Sequence, residues 1–347
     1  MTLHKTIEET KSIFKWAVLT ISIFIFFIVL FRIGINIKEH FFPTPPSPPT
    51  VSFGKLPPLS FPQNITTKKL TYTINTISGL LPALPDKIAV YPLVVPSANL
   101  LSQKRASDQV AKVGFTQENT ALSDTLYQWS EKQSPFRTIA FDIVSSNFTL
   151  SSNYTTNASI IDNKNLPDGK TAEDIVKVFL TKMSLLPNDI DDGKTKTTFF
   201  TIANGQLQKA SSQSNALITS VDFFQKDVNN LPIYYPQPEH SIMHYLLTGG
   251  QFEPKIVEAA FTHYAIQQDS ATYPLKTAKH ALKELQEEKA YIASYDGVSN
   301  AIQIKNVFLA YYLGIKPQTY LMPIIVFEGD NKFFAYVSAI TDEWLHK

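Results

Sequence analysis

The chain has 347 residues, 44% of them apolar, and a formal net charge of +1 from 31 basic and 30 acidic side chains. With no local surplus of cations it is not expected to bind nucleic acid. With no cysteine it can hold no disulfide, thiolate nucleophile or cysteine-ligated zinc or iron–sulfur centre.

Residues 1–15 read as a cytoplasmic tail. Trp16 to Phe31 is an uncharged run, WAVLTISIFIFFIVLF, in which only Thr20 and Ser22 are polar. Arg32 follows, and Ile33, Ile35 and Ile37 continue the apolar character. A spanning helix needs about 20 apolar residues, and 16–37 supplies them if Arg32 snorkels to the interface. No small-x-small site follows, so the predicted element is an uncleaved single-pass signal-anchor embedded in the lipid bilayer. Lys5, Lys11 and Lys15 before it against Arg32 and Lys38 after it are a nearly even count; a short N-terminal tail usually stays inside, which predicts the N-terminus inside and the bulk of the chain outside the cell membrane.

Residues 38–66 carry Pro43, Pro45, Pro46, Pro48, Pro49, Pro57, Pro58 and Pro62. Proline this dense forbids helix and favours extended polyproline II, which predicts a stalk between membrane and body.

Beyond it the pattern is α+β. LTYTINTI (70–77) and KIAVYPLV (87–94) read as strands. A helix over 98–113 ends at Gly114, and TLYQW and FRTIAFDIV follow as strands. A second helix opens at Thr171, with Ala172, Ile175, Val176, Phe179 and Met183 on one stripe; its strands are TTFFTIA and ALITSVDFF. A third opens at Thr277, with Ala278, Ala281, Leu282, Leu285 and Ile292 on one face. Its strands, IQIKNVFLAYYL, YLMPIIVFEG and KFFAYVSAI, include a hairpin turning at Glu328-Gly329-Asp330-Asn331. The predicted fold is antiparallel sheets packed with helices in repeated helix-then-hairpin units, divided into extracytoplasmic domains 67–215 and 216–347.

The C-terminal part of the chain resembles the PepSY-like fold of the YycI and YycH accessory proteins, membrane-anchored extracytoplasmic regulators of a cell-wall sensor kinase in Firmicutes. VDFFQKDVNNLPIYY is similar to the hairpin of that group, and SIMHYLLTGG and IVEAAFTHYAIQ to its next strands. TAKHALKELQEE resembles its helix, and VFLAYYLG through KFFAYVSAI its closing strands. The resemblance implies a regulatory or scaffolding role and carries over no catalytic residue.

Few residues suggest chemistry. His240 and His244 are four apart, but PEHSIMHYLLTGG reads as a strand, where such a pair lies ~13 Å apart, so no metal site is assigned. His263 reads as a partly exposed strand residue. NDIDDGK (188–194) lacks the alternate ligands and late Glu of a calcium loop. Ser12-x-x-Lys15 matches a nucleophile motif by letters alone. No catalytic or cofactor-binding residue is assigned. Tyr234 with Tyr235, and Tyr311 with Tyr312, are adjacent strand pairs that place one ring on each face; an exposed ring from each is the candidate partner-binding surface. The expected function is a non-enzymatic envelope module that binds a protein or peptide, such as a sensor kinase or peptidase. The rivals are a wall hydrolase whose carboxylates meet only in the fold, and a structural subunit of a membrane assembly.

Overall fold

The computed structural model describes residues 16–32, 47–66, 68–132, 137–157, 160–161, 165–250 and 254–346. The chain forms two compact units, Met1–Pro48 and Pro49–Lys347. In the first, residues 16–32 form helix α1, with every side chain exposed. Among the described residues no helix is long and apolar enough to cross a membrane. The expected tail 1–15, the end of the expected span (33–37) and the start of the stalk (38–46) lie outside the described residues.

The second unit holds two sheets. One has nine strands, antiparallel throughout, in the order β3 (Thr120–Ala121), β4 (Leu126–Ser130), β5 (Thr138–Asp142), β6 (Phe148–Ser151), β12 (Lys255–Phe261), β11 (Met243–Thr248), β9 (Ile218–Asp222), β7 (Lys196–Ala203) and β8 (Gln206–Lys209). Side chains alternate across it. Ile139, Phe141, Phe148, Val221, Met243 and Tyr245 point to one face and make a core with helices α2 (Ser102–Ala111) and α3 (Gly169–Lys182). From α3 come Ala172, Val176, Leu180 and Met183, the stripe expected at helical spacing. The helix is capped three residues earlier than expected. Its N-cap is Asp168, whose carboxylate accepts the Thr171 N–H at 2.7 Å.

The other sheet has eight strands. Its main path is β1 (Thr71–Ile74), β15 (Ala301–Tyr312), β16 (Tyr320–Gly329), β17 (Phe334–Ser338) and β14 (Tyr291–Ser294). Strand β10 (Ile233–Tyr234) pairs with the end of β15, β2 (Lys87–Pro92) with the start of β16, and β13 (Ala271–Pro274) with β2. Antiparallel pairing was expected throughout, but β1 and β10 both run parallel to β15. Each arrives from a distant part of the chain, and distance along the chain is what a parallel pair requires. Helix α4 (Ala278–Gln286) covers one face, capped by Thr277 as expected, through Ala278, Ala281 and Leu285.

Two sequence expectations meet a different arrangement. The division at 215–216 falls between β8 and β9, and the chain on both sides of it builds one sheet. The proline-rich residues 49–66 do not stand away as a spacer; they belong to the second unit and run across it. Leu56 is fully buried and bonds through its backbone to Trp344 and His346, while Phe53 stacks on Tyr320 at 5.4 Å. Phe61 lies 5.3 Å from Tyr291 and 4.8 Å from Tyr312, ring to ring. Proline fixes the extended backbone, but the apolar residues interleaved with it give that backbone a face to bury.

Candidate functional site

The tyrosine pairs do not form the expected surface. Tyr235 is 2% exposed, and Tyr311 and Tyr312 are fully buried. Alternation sends their rings to opposite faces of β15, but both faces are covered. Tyr311 lies in the core that α4 shares and donates its hydroxyl to the Ala89 carbonyl at 2.8 Å. Tyr312 packs under Phe61 beside Tyr291 and Tyr336. The Tyr235 oxygen accepts the Gln225 N–H. Tyr234 is half-buried against Phe308, Phe334 and Tyr336. Alternation within one strand gives the direction of a ring and not what lies above it; here Phe61, far away in sequence, covers one face and α4 the other.

The open surface lies elsewhere. On the face of the nine-stranded sheet opposite α2 and α3, Ile218, Leu246 and Val257 make a smaller core with Phe200 and Leu207. Beside it is a groove of about 550 Å³. Its floor is Thr149, Leu246, Ala260 and Thr262 from β6, β11, β12 and the residue following β12, and Pro236 and Ile315 line it from connections of the other sheet. A largely apolar, concave surface with a few polar groups is the usual form of a ligand site.

The polar end of the groove is His240, Ser241 and His244. Behind them is Asp222, the last residue of β9, with its side chain 3% exposed. His244 sits opposite Asp222 in the β11–β9 register, and its Nδ1 is 3.0 Å from Oδ1. His240 Nδ1 is 3.9 Å from Oδ2. The strand expected through both histidines begins only at Met243. Residues 237–240 turn, with the His240 N–H bonded to the Gln237 carbonyl, so the two rings stand 6.0 Å apart, not at strand spacing. The Ser241 N–H donates to Asp222 Oδ1 at 2.9 Å. Ser241 Oγ is committed to the Phe223 carbonyl and the Met243 N–H.

Burial alone would raise the Asp222 carboxyl, but the two imidazoles and the Ser241 N–H outweigh it and hold the carboxyl well below the usual carboxylate range. The neighbouring carboxylate in turn raises the His240 imidazole above its ordinary value. Asp222 was missed in the sequence, yet it carried a signal: a lone acid inside the apolar strand ITSVDFF.

The remaining groups are accounted for structurally. His280, Glu284 and Asp342 also converge, but the Lys276 ammonium stands among them, 2.7 Å from Glu284 and 2.8 Å from Asp342, and fills the place a cation would take. In NDIDDGK, Asp191 Oδ1 accepts the Gly193 N–H, Lys177 pairs with Asp192, and Lys194 with Asp227. Ser12 and Lys15 lie outside the described residues. His263 Nε2 meets Asp189 Oδ1 at 2.9 Å, and Gln225 donates to Asp189 Oδ2 at 2.8 Å, a clamp joining three connections.

This clamp gives a pH prediction. Burial would raise the Asp189 carboxyl, but the His263 and Gln225 bonds outweigh it and set it below its ordinary value. A depressed carboxyl contributes stability above its unfolded pKa of about 3.9 and loses it as pH falls through the folded value. Asp189→Asn is therefore expected to be less stable than wild type at pH 6, with the gap closing below about pH 4. Urea midpoints measured across that range check it; a gap independent of pH would contradict it.

The chain matches no protein-family model and no curated protein. Among solved structures it is similar to an uncharacterized protein from Eubacterium rectale, at a TM-score of 0.41 and 14% identity over 81% of this chain and 92% of that one. It is also weakly similar to the C-terminal domain of Bacillus megaterium YpeB, at a TM-score of 0.31 and 9% identity over 72% and 95% of the respective chains.

Proposed function

We propose that this chain is a membrane-anchored, extracytoplasmic binding module of the cell envelope, and that it captures a protein or peptide segment by an apolar side chain seated in the groove of the nine-stranded sheet. The observation that carries the reading is the groove itself: an apolar floor on a sheet face that α2 and α3 leave open, with the Asp222, His240 and His244 cluster at one end. The anchor reading rests on the uncharged run from Trp16 to Phe31 and on the exposure of its side chains along α1. The rival wall hydrolase needs two carboxylates free to share a reaction. Around two other cavities the acids are instead paired with cations: Glu284 and Asp342 with Lys276, Glu287 with Lys289, Glu131 with Arg137, and Asp174 with Lys170.

The test is in-cell crosslinking of the full-length chain, followed by identification of what is attached. Ala260 lies on the groove floor opposite His244. Ala260→Trp would fill the groove and is expected to cut recovery of the specific partner at least about tenfold, the scale of a central hot spot. Unchanged recovery with the groove filled would reject this surface.

A further inference from the structure

We propose that Asp222, His240 and His244 form a binding site for a divalent transition metal of the zinc class at the polar end of the groove. The site does not depend on the binding role of the groove.

One ligand atom from each of the three residues lies within 4.8 Å of the other two. Four ligands placed tetrahedrally at about 2.0–2.1 Å from zinc are roughly 3.3–3.4 Å from one another. His244 Nδ1 is 3.0 Å from Oδ1 and His240 Nδ1 is 3.9 Å from Oδ2, so each imidazole stands near that spacing from one of the two carboxylate oxygens. The rings are held edge to face, 89° between planes, with their centroids 6.0 Å apart.

Charge points the same way. Asp222 is buried, and among the described residues no lysine or arginine pairs with it; its ionic partners are the two histidines. A buried carboxylate without a fixed cation is costly. At Lys276 the same fold meets that cost with an ammonium; beside Asp222 it sets two imidazoles. Two imidazoles and one carboxylate suit zinc and its neighbours, and not calcium or magnesium, which take oxygen ligands. The surrounding bonds fix the carboxylate in place: the Ser241 N–H donates to Oδ1, and Ser220 Oγ is 3.5 Å from Oδ2. With three protein ligands, a fourth coordination position remains for water or a donor from a molecule in the groove, because His240 and His244 both line it.

The experiment is calorimetric titration of zinc chloride into the full-length chain in detergent, stripped of metal beforehand. The expected result is one saturable site per chain. His240→Ala and His244→Ala should each weaken it at least about tenfold, since even outer-shell changes cost 10- to 100-fold. His263→Ala, at the other histidine–aspartate pair, should leave it unchanged. Both ligand positions are partly exposed, with side chains 47% and 23% accessible, so the variants are expected to fold, and their unfolding midpoints will show it. No saturable zinc binding by the wild type, or binding by both alanine variants as tight as by wild type, overturns the proposal. Loss of zinc binding with the crosslinked partner retained would separate this site from the binding role of the groove.

Discussion

Phe148→Ala is expected to destabilise the body by about 3–5 kcal/mol, the range for a large aromatic removed from a core. Phe148 is 3% exposed on β6, in the interior of the nine-stranded sheet. Its ring stacks on Phe261 at 5.1 Å and on Phe141 at 6.1 Å, and Phe179 of α3 meets it edge-on at 6.1 Å. One side chain therefore ties together three strands and a helix. Because β6 pairs with β12, it also joins the part of the sheet formed before residue 152 to the part formed after 195. Total stabilities of about 5–15 kcal/mol make such a loss a large fraction of the whole. Urea unfolding followed by tryptophan fluorescence measures it, since Trp129 packs against Phe141. A cost below about 1 kcal/mol would be that of a surface site and would contradict this position in the sheet.

The second large effect is expected at Lys276. Its ammonium is 5% exposed, between a Glu284 side chain at 12% and an Asp342 side chain at 72%. Lys276→Ala leaves the largely buried Glu284 with only the exposed His280 imidazole at 3.3 Å, and breaking a buried pair from one side costs about 3–5 kcal/mol. Asp342→Ala removes a solvated partner and is expected to cost less than about 1 kcal/mol. The contrast is the test: thermal unfolding should separate the two variants widely. Equal shifts would mean that Lys276 is solvated in solution and that the cluster of His280, Glu284 and Asp342 is open.

Much of this was legible in the sequence where the signal is local. The stripe from Ala172 to Met183, the Thr277 cap and the turn after Glu328 depend on residues a few positions apart, and the structure places all three close to expectation. What failed depends on contacts far along the chain. Nothing near Tyr311 and Tyr312 announces that Phe61 and α4 cover the two faces of β15. Proline density announces extended backbone in 49–66, but not that Leu56 buries itself against the chain end. Near residue 215 the strand pattern resumes much as it does between domains, and only the pairing of β9 with β7 shows one sheet. The candidate site failed for both reasons. His240 and His244 were read on a regular strand when a turn separates them, and Asp222 lies 22 positions before His244.

The groove is tested most directly by a photo-crosslinking amino acid placed in the living cell at two positions of the full-length chain. Thr262 lies in the groove; Val178 lies on α3, 53% exposed on the helical face of the same sheet. The account predicts one specific envelope protein attached at position 262, absent at 178, and lost when Ala260→Trp fills the groove. Attachment of the same species from both positions, or of none from 262, would contradict it.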